Sequence, residues 1–239
     1  METYRKPLLH LPETSAFLLP KNAMRKHDER CMTYVWVAHR NLFGEVYRYL
    51  LPDYFYAMPQ DSGVVIGTFI SSTDIMPGLT FPGDIDVLVI PYEGDDLVLS
   101  LTLAIEIKVI RASFERQGKS PNQFGFKQAK ALLEAGFPFV AVGHLIVSDR
   151  SPKSAWREVG MTRIVDADSG ACEPIQTIRH DMLPVDLLRR AHGRLSSNCP
   201  DSRLGHFSAY PNDSGMWFPE GKRASFNPCM NINVLDKVY

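Results

Sequence analysis

Two phrases decide the fold: PGDIDVLVI at 82–90 and DLVLSLTLAIEIKVI at 96–110. The second alternates with a period of two. Leu97, Leu99, Leu101, Leu103, Ile105, Ile107 and Val109 fall on one side of an extended chain, and Ser100, Thr102, Ala104, Glu106 and Lys108 on the other. The first phrase does likewise, setting Ile85, Val87 and Val89 against Asp84 and Asp86. Gly94, Asp95 and Asp96 supply turn chemistry between the two, which predicts an antiparallel hairpin with its polar sides adjacent. Acids inside otherwise buried strand cost several kcal/mol unless a partner or a cation compensates them. The sequence therefore gathers Asp86, Glu106 and Lys108 on one side of a sheet and requires something to balance them.

Working outward, TYVWVAHRNLFGEVYRYLL at 33–51 carries apolar residues at helical spacing and stops before Pro52, so it predicts a helix. VVIGTFI at 64–70 reads as a strand bounded by Gly63 and a Ser-Ser-Thr-Asp cluster. Beyond the second phrase, a polar loop (RASFERQGKSPNQ, 111–123) leads into a helix from Pro121 to Ala135, stopped by Gly136. FPFVAVGHLIV at 137–147 then reads as a buried strand. Strand, helix and strand make a right-handed crossover, so this strand is expected parallel to the one carrying Glu106. Residues 1–32, with Pro7, Pro12, Pro20 and the charged KHDER, read as an arm, and 33–150 as the core. Residues 151–239 read as a C-terminal extension packed on the core or at an oligomer interface, with one strand in REVGMTRIVDA and one helix in LPVDLLRRAHGRL. Its aromatics Trp217, Phe218, Phe226 and Tyr239 are candidates for docking a partner or another protomer.

Composition narrows the function classes. A chain of 239 residues with 45% hydrophobic content can bury a full core, and its net charge of −1 confines any polyanion site to a local patch. No apolar run approaches the roughly 18 residues that span a bilayer, and METYRKPLLHLPE lacks a secretory apolar segment, so cytoplasmic residence without a membrane partner is expected. Cys31, Cys172, Cys199 and Cys229 are far apart, form no CxxC pair and read as reduced thiols. GKS at 118–120 is not a phosphate loop, because Ser113 stands where such a loop needs glycine. Neither GxSxG nor GxGxxG occurs, and His144 in its apolar strand reads as a hydrogen-bonded core histidine.

One acid on the first strand, with a Glu and a Lys two apart on the next, could hold a hard divalent cation such as Mg²⁺ and present an ammonium beside it. The bland counterpart is a structural ion-pair group on a sheet; for Asp84 it is a strand-entry residue. At these residues the sequence resembles the PD-(D/E)XK nuclease superfamily: Pro82-Gly83-Asp84-Ile85-Asp86 matches its first acidic phrase and Glu106-Ile107-Lys108 its ExK element. The form of both phrases is nearest the Holliday-junction-resolvase and RecB-like branches. The resemblance covers roughly 33–147 and implies an α/β fold with a restriction-endonuclease-like αβββαβ core, its mixed sheet flanked by helices. It implies Asp86 and Glu106 as metal ligands for Mg²⁺, with Mn²⁺ as substitute, and Asp84 as a further candidate ligand. It also implies Lys108 as the group that steers the attacking water, Glu45 as a helix-borne addition to the metal site, and Gln128 as the glutamine of the helix after ExK. The family's tyrosine four residues later is Leu132 here.

Between Lys108 and Lys130 six basic residues face the single acid Glu115. Lys108 apart, these are Arg111, Arg116, Lys119, Lys127 and Lys130, the candidates for phosphate contact; a solvated helix and loop face is the ordinary alternative. The expectation is a Mg²⁺-dependent deoxyribonuclease acting in bacterial restriction, repair, defence or mobile-element biology, as a homodimer or with a partner subunit. The competing expectation is a non-catalytic nucleic-acid-binding or assembly module of the same fold.

Overall fold

The computed structural model describes residues 2–5, 28–75, 84–118, 120–121, 123–166, 168–211 and 219–237. The motif residues Pro82 and Gly83, the candidate phosphate contact Lys119, most of the predicted arm, and Trp217, Phe218 and Tyr239 lie outside them.

In chain order the elements are β1 (Glu2–Arg5), α1 (Glu29–Ala38), α2 (Arg40–Leu50), α3 (Pro52–Ala57), β2 (Ser62–Ser71), α4 (Ser72–Ile75), β3 (Asp84–Glu93), β4 (Asp96–Leu97), β5 (Leu103–Ala112), α5 (Phe126–Ala135), β6 (Phe139–Ser148), β7 (Arg157–Asp166), β8 (Ala171–His180), α6 (Leu183–Asn198), β9 (Gly205–Ala209), β10 (Glu220–Lys222) and α7 (Ile232–Leu235). An eight-stranded sheet runs β1-β2-β3-β5-β6-β9-β10, with β4 paired to β3 off that path, and β7 and β8 form a separate ribbon. The fold is α/β. β2, β3 and β5 are mutually antiparallel, whereas β5, β6 and β9 are parallel, the crossover from β5 to β6 passing through α5.

Helices cover both faces. On one, Trp36, Leu42, Phe43, Val46 and Leu50 of α1 and α2 pack against Val87, Val89, Ile105, Ile107, Leu145 and Phe207. On the other, Ala129, Leu132 and Leu133 of α5 meet Leu88, Ala104, Val140 and Val142, while Leu187, Leu188 and Ala191 of α6 cover Ile110 and Ile146. Trp36 is wholly buried. Truncating it to alanine would cost about 3–5 kcal/mol.

The single predicted helix from Thr33 is two. Asp28 caps α1 by accepting from the Cys31 amide at 2.8 Å, which starts the helix four residues early. His39 then leaves helical geometry: its amide closes α1 onto Val35 and Trp36, and its Nδ1 accepts from the Leu42 amide at 3.3 Å to open α2. The second strand of the predicted hairpin begins at Leu103, not Leu97, because Leu99–Leu101 tighten into a 3₁₀ turn. α5 begins at Phe126 and ends in a Schellman motif, in which the Phe137 amide reaches the Leu132 carbonyl and the Gly136 amide the Leu133 carbonyl. Gly136 sits at φ 104°, and a Cβ there would meet the Asn231 backbone at 2.7 Å, so glycine is required on both counts.

Two strands escape the sequence. β8 completes the ribbon that begins with the expected β7, and β9 adds to the main sheet beside β6. Residues 2–5 pair with β2, so the start of the predicted arm is an edge strand. No helix among the described residues is long and apolar enough to cross a membrane.

Candidate metal and phosphodiester site

β3 and β5 pair only through Val87↔Ile105, Leu88↔Ala104 and Val89↔Leu103, and then part. On its other side β3 loses β2 at the same level, since pairing runs through Thr68↔Val87 and resumes at Ile70↔Ile85. The residue skipped is Phe69, the one described non-glycine residue with positive φ (52°). Asp86 therefore stands at a break in both ladders. Its carboxylate fills the gap by accepting from the Ile107 amide at 2.7 Å, a side chain replacing a strand-to-strand bond.

Glu106 and Lys108 project from β5 on the same side as Asp86. The Lys108 Nζ lies 2.7 Å from Glu106 Oε1 and 3.4 Å from Glu29 Oε2. Asp86 is 7% exposed and Glu106 2%, which makes their electrostatics decisive. Burial pushes the Asp86 carboxyl up to about 6, aided by the Glu29 charge and opposed by the Ile107 amide and Lys108. Burial first and the neighbouring Asp86 second push Glu106 up to about 8, further than Lys108 can pull it back. Burial works against the Lys108 ammonium, yet Glu106, Glu29 and Asp86 outweigh it and hold the group charged. The two carboxyls are within hydrogen-bond reach of each other, so without a cation they retain a proton between them.

The surroundings fix this arrangement. Gly125, at φ 88° before α5, lies so close to β5 that a Cβ there would come 3.0 Å from Glu106 Cγ and 3.6 Å from Lys108 Cγ. His144, beside Lys108 in the parallel register, is fully buried and ties β6 to the Phe124 carbonyl through Nε2 at 3.2 Å, matching the expected core role. Burial holds its ring neutral, lowering its pKa to about 4. A cleft of about 590 Å³ opens beside the group, lined by Glu29, Lys108, Arg111, Ser120, Pro121 and Gln123 among others.

The structure thus brings Asp86, Glu106 and Lys108 together and adds Glu29, which the sequence reading did not select. Glu45, expected to serve as the helix-borne acid, is instead bound by Arg48 at 2.6 Å, and Arg48 also donates to Tyr56. The acid that does reach the group comes from the first turn of α1, one helix earlier. Asp84 is held by Arg30 at 3.0 Å at the open end of β3. Gln128 is half-buried on α5, and Gln123 lines the cleft instead. Arg111 sits on the cleft wall, and Arg116 and Lys127 are exposed near it in sequence, on the loop and the first turn of α5. Lys130 is 3.7 Å from Glu134, on the exposed face of α5.

Three carboxylates share one ammonium here, so with all of them ionised the group carries two uncompensated negative charges. Each buried carboxylate has one oxygen engaged, by the Ile107 amide or by Lys108, and one left to offer. Among the described residues no three His, Cys, Asp or Glu side chains converge as a complete metal cage. Two carboxylates with the remainder left to water and phosphate is how Mg²⁺ is ordinarily held, so the residues present fit that ion better than a dedicated protein cage would. Compared with known proteins, the chain matches no family model, no curated protein and no solved structure.

Proposed function

We propose that the protein is a divalent-metal-dependent nuclease that hydrolyses DNA phosphodiester bonds through a restriction-endonuclease-like core spanning α1 to β6. One observation carries the reading: two nearly inaccessible carboxyls meet at the parting of β3 and β5, with an ammonium 2.7 Å from one of them, beside a cleft walled by Arg111. A purely structural ion pair would be expected to balance its charges, whereas this group keeps a deficit that a divalent cation would neutralise.

In this reading Asp86 and Glu106 hold Mg²⁺ or Mn²⁺, with Glu29 adding negative potential. The bound ion would polarise a phosphoryl oxygen and acidify a coordinated water. Lys108 donates to the attacking water and stabilises charge that develops on the phosphorus oxygens. Arg111, with Arg116 and Lys127, neutralises flanking phosphates.

The test is a cleavage panel on supercoiled, linear, single-stranded and branched DNA and on RNA, each with Mg²⁺, Mn²⁺ or EDTA. Wild type should cleave DNA only with metal, and Glu106→Gln and Lys108→Met should each lose at least about a hundredfold in rate, the scale of a lost transition-state contact. Unchanged cleavage by both variants sinks the reading. Binding of nucleic acid without turnover in any metal would establish the binding-module alternative in its place.

A further inference from the structure

The β7–β8 ribbon is the least explained part of the molecule. Nine of the ten β7 residues and eight of the ten β8 residues are exposed, seventeen in all. Among the described residues each of these strands pairs only with the other. An isolated two-stranded ribbon of this kind is marginal in water, because neither face buries apolar surface. Its base is nonetheless well anchored. Trp156 Nε1 donates to the Ser151 carbonyl, Asp181 accepts from the Ser151 amide and hydroxyl, and Arg157 reaches Asp186 at 2.7 Å.

Met161, Ile164, Val165 and Ile175 on the ribbon make up half of the large exposed hydrophobic side chains among the described residues, and Ile164 is 67% exposed. Residues 157–180 carry three arginines against four acids, so the ribbon has no excess positive charge with which to track a polyanion. Protein is the chemistry that suits it. Two features point to a second copy of this chain. β7 begins with Arg157 and ends with Asp166, so an antiparallel copy lays opposite charges end to end. β7 also lacks proline, whereas β8 contains Pro174, which cannot donate to a new ladder. Seventeen exposed residues a side approach the roughly 20–30 that a standard interface uses.

We propose that the ribbon is a homodimer contact, formed by antiparallel apposition of β7 with the β7 of a second copy. The proposal is independent of the nuclease reading; if both hold, the dimer carries two sites, one for each strand of a duplex.

The test is mass by light scattering and sedimentation across about 1–100 µM, the range that populates a standard-size interface of modest affinity. Wild type should run at twice the chain mass. Ile164→Asp with Ile175→Asp should halve it while leaving the thermal transition of the remaining fold in place. Should the pair of changes prevent folding, Ile164→Ser alone is expected to weaken the dimer by at least tenfold. A wild type monomeric throughout the range overturns the proposal, as does a dimer that survives the ribbon changes. A monomer whose DNA affinity falls with the same changes also overturns it, by showing that the ribbon serves nucleic acid instead.

Discussion

Replacing Asp86 by Asn should make the metal-free protein more stable while removing its response to metal. An Asn Oδ1 can keep accepting from the Ile107 amide, and its NH₂ can donate to Glu106, so the break between β3 and β5 stays bridged. What disappears is a buried charge. The folded carboxyl is raised from 3.8 to about 6, so the folded state binds that proton more tightly than the unfolded state does. A raised acid is neutral in its effect at low pH and destabilises progressively as pH climbs from the unfolded value through the folded one. At about 1.4 kcal/mol per pKa unit, the ionised Asp86 costs on the order of 3 kcal/mol above pH 6. Allowing for imperfect accommodation of the amide, Asp86→Asn should gain about 1–3 kcal/mol at pH 8, or roughly 3–10 °C in Tm for a chain of this size. The assay is thermal unfolding in EDTA near pH 4 and at pH 8, repeated with millimolar Mg²⁺. The variant's advantage should be large at pH 8 and nearly vanish near pH 4, and Mg²⁺ should raise the wild-type Tm alone. A variant less stable than wild type at pH 8, by a margin that pH does not change, would refute the electrostatic account of the site.

Mg²⁺ affinity, followed by calorimetry in buffers of different ionisation enthalpy, should rise between pH 6 and 8 with proton release, because the cation displaces a proton held by carboxyls raised to about 6 and about 8. Affinity flat across that interval would count against Glu106 as a ligand. Gly125→Ala should lose about 1–3 kcal/mol in denaturant unfolding from the φ 88° backbone and the 3.0 Å approach to Glu106, together with at least tenfold in metal affinity; an unperturbed affinity would detach the start of α5 from the site. Glu29→Gln should weaken Mg²⁺ binding several-fold and Glu45→Gln should leave it unchanged, a contrast readable in one titration series and reversed if α2 supplies the helix acid.

The strand pair and its three ionisable residues were legible because alternation is a local property: Ile105 and Ile107 inward oblige Glu106 and Lys108 to share the other side. The parallel placement of β6 followed from connection length and handedness alone. Helical periodicity, by contrast, reports which stripe of a helix is buried and nothing about its ends. Glu45 lay in a well-patterned helix, whereas Glu29 lies in a first turn set by the Asp28 cap, at the mouth of a cleft that exists only because β3 and β5 part. β9 was illegible for a different reason. Its alternate residues His206 and Ser208 are buried beneath α6, where Ser196 and the Leu188 carbonyl satisfy them, so a short polar-looking segment is core. The ribbon strand β8, nearly all exposed and broken by Pro174, offers no apolar period to detect.

Phe69 gives the middle of β3 an unusual mechanical freedom. Since neither neighbouring strand clamps the backbone at residue 86, that segment can shift toward an incoming ion without unzipping either ladder. Amide exchange at Asp86 and Ile107 should accordingly be quicker than at Leu88 or Ile105 in apo protein and slow on loading, turning one left-handed residue into the suspension on which the whole acidic group rides.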